Sequence, residues 1–154
     1  MPSAAIAAYG TLIKRGASAS GTSGNPMSTL GEVKSITGPS TDVSTIDVTT
    51  HSSASAGNYR EFIPSLIDPG TIDVDMNWVP SDTTHSNLWT DLQQRTNRDF
   101  AIQCPPAGGG ATGTSANITF AAYVVGMPKE FPVDDVMKSK LSLRITGALT
   151  ITVG

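Results

Sequence analysis

The chain has 154 residues, a formal net charge of −3 and a hydrophobic fraction of 38%. This length is enough for one domain with a real core, and we expect a single domain over residues 1–154. No run of like charges is present, so the sequence offers no basic surface for a nucleic-acid backbone. The single cysteine, Cys104, cannot form an internal disulfide, and the N-terminal segment resembles neither a signal peptide nor a membrane span. We therefore expect folding in a reducing cytoplasm, without a membrane partner.

The first part of the chain is predicted to hold short strands with thin apolar faces, joined by flexible segments. Residues 1–10 are rich in alanine and are expected to be a flexible N-terminal arm. A short strand is expected at residues 11–14, and a Gly/Ser/Ala linker over residues 16–25. Further strands are predicted at residues 29–37 and 43–49, where apolar and polar residues alternate.

A long segment, residues 51–70, is predicted to be an assembly loop. Residues 52–57 are small and can bury almost nothing, so the cost of ordering them must be offset elsewhere. The loop also carries an apolar and charged cluster that has no core of its own to fill, which indicates a surface completed by another chain. We expect the loop to be mobile in the free chain and ordered on docking. The predicted interface residues are Tyr59, Arg60, Glu61, Phe62, Ile63 and Leu66.

Residues 71–79 give the clearest alternation in the first half of the chain. One face is apolar and is expected to join the core, whereas the other carries Asp73, Asp75 and Asn77 and is expected to face water. The period then changes to that of a helix over about residues 82–95, with Leu88 and Leu92 at helical spacing behind candidate N-caps. We expect one helix and no other.

Strands are predicted again at residues 99–104 and 117–126, on either side of a hairpin tip at residues 108–110. The longest alternation covers residues 137–153, and we expect so long a strand to have neighbours on both edges. Its 140–153 part is predicted to pair with a neighbouring subunit. The pattern is typical of a mainly β, antiparallel sandwich or barrel with one flanking α-helix.

No catalytic, cofactor-binding or metal site is predicted. His51 and His85 lie beside hydroxyl residues, but no nucleophile turn accompanies them, so each is interpreted as a capping or solvated histidine. Cys104 is interpreted as a small buried hydrophobe. The spacing of Asp73, Asp75 and Asn77 matches the opening of a calcium loop but lacks its Gly and its bidentate Glu. A set of four aromatic residues is assigned to the core or to a subunit contact, since no basic residue is interleaved with them: Trp78, Trp89, Phe120 and Tyr123.

Four segments resemble the major tail tube proteins of phages with long non-contractile tails. They are residues 47–51 (DVTTH), 57–70 (GNYREFIPSLIDPG), 77–80 (NWVP) and 132–135 (PVDD). The resemblance implies an antiparallel β-sandwich or barrel-like tail tube fold, without the C-terminal immunoglobulin-like domain of some relatives. It also implies hexameric rings that stack into a channel for phage genome delivery, in a virion whose tail is assembled in the host cytoplasm. The implied partners are further copies of the chain, a tape measure protein, and tail initiator and terminator proteins.

A channel that conducts DNA without specific binding should not hold phosphate, so its wall is expected to be polar and acidic. Asp73 and Asp75 are the candidate lumen-facing residues. Two other functions stay open on the sequence alone. One is a monomeric β-sandwich that acts as a binding or adaptor module, and the other is a small hydrolase that uses His51 or His85.

Overall fold

The computed structural model describes residues 7–19, 26–51, 57, 59–106 and 115–154. These residues form ten strands and one helix. In chain order they are β1 (Leu12–Ala19), β2 (Met27–Thr29), β3 (Val33–Thr37), β4 (Asp42–Asp47), β5 (Phe62–Asp68), β6 (Thr71–Asn77), α1 (Thr83–Gln94), β7 (Arg98–Cys104), β8 (Ala116–Gly126), β9 (Lys129–Glu130) and β10 (Lys138–Val153). The predicted mainly β fold with one flanking helix is confirmed.

Eight strands form one antiparallel sheet, in the order β2-β1-β7-β8-β10-β6-β3, with β9 added beside β10. The two end strands, β2 and β3, are separated by only three residues of chain. Four residue steps can span at most about 14 Å, so the two edges of the sheet must lie close together. The sheet therefore curves round on itself towards a barrel, and its concave side encloses the core.

The core consists of the apolar face that the alternating strands present to the inside of this curve. Ile72, Val74 and Met76 of β6 are almost completely buried, whereas Asp73 and Asp75 between them are not. Their cross-strand neighbours in β10 include Leu143, opposite Ile72. Other strands, the helix and two connecting segments add the remaining core residues: Ile13, Leu30, Leu88, Phe100, Ile102, Phe120, Ala122, Val124, Met127, Leu141 and Ile145.

Helix α1 lies where it was predicted, within residues 82–95. Its N-cap is Asp82, whose carboxylate accepts a 2.7 Å hydrogen bond from the Thr84 backbone N–H. Leu88 buries its side chain in the core, and Asp91, one turn later, is completely buried. The Asp91 carboxylate accepts hydrogen bonds from Arg15 Nε at 2.5 Å and from Arg98 Nε at 2.9 Å. This three-residue ionic cluster fastens the helix to β1 and β7.

Two of the predicted boundaries near the N-terminus were wrong. The predicted linker over residues 16–25 begins too early, because β1 continues to Ala19 by pairing with β7 on one edge and β2 on the other. The predicted strand over residues 29–37 is divided into β2 and β3 by a turn at Glu32, whose φ of 59° breaks the extended backbone. Residues 1–6 of the expected N-terminal arm, residues 20–25 and the tip at residues 108–110 lie outside the described residues.

Strand β10 has neighbours on both edges over only half of its length. From Lys138 to Arg144 it pairs with β6, and its opposite edge pairs first with β9 and then with β8. Beyond Thr146 it continues along β8 alone, past the start of β6 at Thr71, so its second edge has no strand partner within the described residues. The prediction of two-sided pairing therefore holds for the first half, which excludes that half from pairing with another chain.

Candidate functional site

Strands β4 and β5 form a second sheet, separate from the first. Asp47 pairs with Phe62, Ile46 with Ile63, and the hairpin closes at its base with Asp42 opposite Asp68. We call residues 42–68 the arm. The predicted loop over residues 51–70 was too long, because Phe62–Asp68 is a strand that pairs with β4. Residues 52–56 and 58, which include the small polar run, lie outside the described residues.

Both faces of the arm are exposed. Every residue of β4 is exposed, and so is every residue of β5 except the half-buried Ser65. Leu66 is 84% exposed, Ile67 64% and Phe62 53%. A two-stranded hairpin is at best marginally stable in water, and large apolar side chains on both of its faces lower its solubility. The arm thus has the character of an element that another molecule covers.

Hydrogen bonds fix the path of the chain towards the tip of the arm. The Asp47 carboxylate accepts bonds from the backbone N–H, at 2.9 Å, and the hydroxyl of Thr49. These bonds, with the Arg60 guanidinium 3.9 Å away, lower the pKa of Asp47 below its ordinary value. The Thr49 hydroxyl oxygen also accepts from the Glu61 N–H at 3.0 Å. Tyr59, which is 77% exposed, lies two residues before Glu61, whose backbone N–H is held by this bond.

The base of the arm is a close crossing of two chain segments. A Cβ atom on Gly70 would lie 2.0 Å from the Ser40 carbonyl oxygen, and one on Gly38 would lie 2.6 Å from that of Thr71. Both glycines have a positive φ, which side chains with a Cβ atom rarely adopt. The Gly70 carbonyl accepts from the Ile145 N–H at 3.1 Å and so joins the base to β10. Close backbone contacts and this hydrogen bond therefore fix the base of the arm, whereas its two strands are exposed to water.

A groove of about 470 Å³ separates the base of the arm from the second half of β10. Ile67 and Pro69 line one side, and residues 147–149 line the other. Here β10 presents the edge that has no strand partner in the described part of the chain, with Ile151 and Val153 about two-thirds exposed. An open edge of this kind presents unpaired backbone N–H and C=O groups to a further strand.

The candidate lumen-facing residues, Asp73 and Asp75, lie on the convex face of the sheet. Asp73 accepts from the Ser142 hydroxyl at 2.8 Å and has Lys140 Nζ at 3.8 Å. Asp75 accepts from the Ser35 hydroxyl at 3.0 Å and is the cross-strand neighbour of Lys140. Both carboxylates lie outside the packed core. Because Lys140 lies between them, this face carries charges of both signs and is not uniformly acidic.

The residues that suggested a hydrolase serve structural roles or lie apart from the core. His85 was interpreted as a capping or solvated histidine, and because it is buried the solvated alternative is wrong. Its Nδ1 accepts from the Val79 N–H at 3.1 Å, and Nε2 lies 3.3 Å from the Gly31 carbonyl oxygen. His51 is exposed on the arm, and Cys104 is half-buried at the end of β7. Within the described residues, no group of three His, Cys, Asp or Glu side chains could hold a metal ion.

One cluster could not be found from sequence patterns. Lys129 Nζ lies 4.0 Å from the ring centroid of Trp89 and 5.3 Å from that of Trp78, and Phe131 packs edge-on against Trp78 at 5.8 Å. The sequence showed no basic residue among these aromatic residues, because the fold alone brings β9 next to them. Cation–π attraction holds the Lys129 side chain between the two rings.

Among the described helices, none has the length and apolar character needed to cross a membrane.

Comparisons with known proteins give a family and a fold. A family model described as phage tail tube, TTP, lambda-like matches residues 14–153. The tail of an empty gene transfer agent particle, refined with C6 symmetry, has a TM-score of 0.67 at 19% identity over 92% of this chain and 94% of that one. The SPP1 tail tube has a TM-score of 0.65 at 10% identity, over 94% of this chain and 77% of that one. A subunit of an extracellular contractile injection system gives 0.71 at 13% identity, over 99% of each chain. No curated protein matches.

Proposed function

Since this chain belongs to the lambda-like phage tail tube family and is a structural tail tube subunit, we propose that six copies close into a ring and that rings stack into a tube for the phage genome. The observation that carries this proposal is the arm. In a monomer its two apolar faces remain exposed to water, which is unfavourable. In a tube, neighbouring subunits can cover both faces. The C6 symmetry of the gene transfer agent tail supports a six-fold ring for this fold.

The interface residues of this proposal lie on the arm. Tyr59, Phe62, Ile63 and Leu66 supply apolar area, and each large side chain that becomes buried contributes about 1.5–3 kcal/mol. Arg60 and Glu61 contribute less energy, about 0–1 kcal/mol for an exposed ion pair, and fix register. The second half of β10 adds a strand edge, which pairs with a neighbouring subunit in the ring.

The convex face around Asp73 and Asp75 lines the channel in this proposal. Its alternation of carboxylates with Lys140 leaves little net charge to hold a polyphosphate chain. DNA would therefore pass without a strong, salt-dependent attraction to the wall. The role of the chain in this proposal is structural and involves no catalysis.

The remaining partners follow from the architecture of a tail. A tube of defined length needs a tape measure protein inside it and initiator and terminator proteins at its ends, and assembly takes place in the host cytoplasm before the tail joins the virion. Association of free subunits is therefore expected to be weak at low concentration, since premature association would yield tubes of uncontrolled length.

Electron microscopy of the purified chain at high concentration tests the proposal. The expected result is six-fold rings or tubes, with Phe62→Ala as the arm variant that fails to form them. Val125→Ala is the matched control, because Val125 is 55% exposed but lies on β8, away from the arm. A wild-type chain that remains monomeric at high concentration would contradict the tube and favour a monomeric binding module.

A further inference from the structure

Trp78 closes a loop that lies between β9 and β10. This loop consists of residues 131–137, and we call it the Trp78 loop. At its start, Phe131 packs edge-on against the Trp78 ring, with 5.8 Å between the ring centroids. At its end, the Met137 carbonyl accepts a 2.8 Å hydrogen bond from the Trp78 backbone N–H. Both ends of the loop therefore contact one residue, which itself packs against the core.

The Trp78 loop has little other support. Every residue of the loop is exposed, and Val133 is 99% exposed. In its second half, the Asp135 carboxylate accepts from the Val136 N–H at 2.8 Å and binds Lys138. Its first half has no hydrogen bond or ion pair of its own in the described part of the chain. The position of the Trp78 ring therefore decides where Phe131 and the first half of the loop lie.

The backbone that leads into the loop is fixed as far as β9. The Pro128 carbonyl accepts from the Lys140 N–H at 3.2 Å and from the Ser139 hydroxyl at 3.0 Å. Lys129 is then the cross-strand neighbour of Ser139 in β10. The Lys129 side chain therefore extends from a backbone position that the main sheet holds in place.

The ammonium group of Lys129 contacts the Trp78 ring and a second indole ring. Its Nζ lies 5.3 Å from the ring centroid of Trp78 and 4.0 Å from that of Trp89, on helix α1. Cations within about 6 Å of a ring centroid are attracted to the ring, most strongly for tryptophan. Lys129 is half-buried and forms no ion pair in the described part of the chain. The two indole rings are therefore the partners of its charge.

We propose that Lys129 is a cationic latch that positions the Trp78 loop. Its charge binds both indole rings, and the Trp78 residue held in this way fixes both ends of the loop. Without the charge, the Trp78 ring is free to turn and the contact with Phe131 is lost. A loop held in one conformation pays less entropy when its apolar side chains become covered. This inference goes beyond the proposed tube, because it concerns the free chain and holds whether or not rings form.

Amide hydrogen exchange on the free chain tests the latch. Lys129→Gln removes the charge and keeps a long, unbranched side chain. The reporter is the Trp78 amide, whose partner lies in the loop, and the control is the adjacent Asn77 amide, which donates to the Glu32 carbonyl at 2.9 Å. Lys129→Gln should speed exchange at Trp78 about fivefold and leave exchange at Asn77 unchanged.

Tryptophan fluorescence gives a second measurement, because the chain has two tryptophans and both lie beside Lys129. In Lys129→Gln the emission should shift to longer wavelength and be quenched more strongly by acrylamide. Lys129→Arg keeps a cation and should resemble the wild type in exchange and in fluorescence. Lys34→Gln is the matched control, since it removes a lysine charge from an exposed position on β3 and should change neither measurement.

Three results would overturn the latch. The first is an exchange rate at Trp78 that is the same in Lys129→Gln and in the wild type. The second is a Lys129→Arg chain that behaves like Lys129→Gln, because the charge would then not be what holds the rings. The third is faster exchange at both Trp78 and Asn77, which would mean that the substitution loosens the sheet itself. None of these results bears on the tube, which electron microscopy tests separately.

Discussion

Arg144 donates from Nη2 to both carboxylate oxygens of Asp68, at 2.9 and 2.8 Å, and so joins the last residue of β5 to the middle of β10. The Gly70 backbone N–H donates to the same carboxylate at 2.9 Å. These bonds lie where the arm leaves the main sheet, so they set the direction in which its exposed faces point. The orientation of the arm therefore depends on a carboxylate that can be titrated.

We expect the base of the arm to loosen in acid. The Gly70 N–H and then the Arg144 guanidinium hold the pKa of Asp68 below its ordinary value of 3.8. A carboxylate with a lowered folded pKa stabilises the folded base above that ordinary value, and its contribution is lost as the pH falls through the folded pKa. Protection of the Gly70 amide should thus decrease as the pH falls below about 4. In Asp68→Asn this decrease should be absent, and identical pH profiles for both chains would contradict the role of Asp68.

Two glycines with nearly the same φ should respond very differently to alanine. Gly70 and Gly147 have φ values of 77° and 80°, but a Cβ on Gly70 would meet Ser40 whereas one on Gly147 would meet nothing within 4 Å. Gly147→Ala should cost only the conformational term, about 1–2 kcal/mol of unfolding free energy. Gly70→Ala should cost roughly 3 kcal/mol or more, because the backbone at Ser40 must move. Equal losses in denaturant unfolding would show that the crossing is not tight.

Loss of the Asp91 carboxylate should destabilise the free chain strongly. Asp91 is completely buried between Arg15 and Arg98, so Asp91→Ala leaves two poorly solvated guanidinium groups without their anion. Breaking one side of a buried ionic cluster costs about 3–5 kcal/mol. Glu130→Ala, on an exposed residue of β9, should change the unfolding free energy by no more than about 0.5 kcal/mol. An Asp91→Ala chain as stable as Glu130→Ala would mean that the cluster contributes nothing net.

Local patterns in the sequence predicted the elements that bury one face in the core of the same chain. The alternation around Ile72, Val74 and Met76 located β6, and the spacing of Leu88 located the helix. The same reasoning missed the Asp91 cluster, because Arg15 is 76 residues away in sequence and nothing local marks the pair. It also treated Phe62–Asp68 as loop, since a strand exposed on both faces gives no alternation to detect. Similarly, Lys129 reaches its two tryptophans only through tertiary packing.

Truncating an arm residue should abolish assembly without affecting the fold of the free chain. Phe62 is 53% exposed, lies in the two-stranded sheet and is not part of the core cluster, so Phe62→Ala should leave the melting temperature of the monomer almost unchanged while preventing tube formation. Phe100 is the matched core residue, because it is fully buried and stacks on Phe120. Phe100→Ala should cost about 3–5 kcal/mol of unfolding free energy. Normal tubes from Phe62→Ala would remove Phe62 from the interface.

The most direct test of the arm as an assembly element is amide hydrogen exchange on the same chain, free at low concentration and assembled into tubes. The account predicts that the amides of Phe62–Asp68 gain strong protection on assembly, whereas those of the core residues Ile72, Val74 and Met76 are already protected in the free chain and change little. Equal protection of Phe62–Asp68 in the free and assembled states would contradict it.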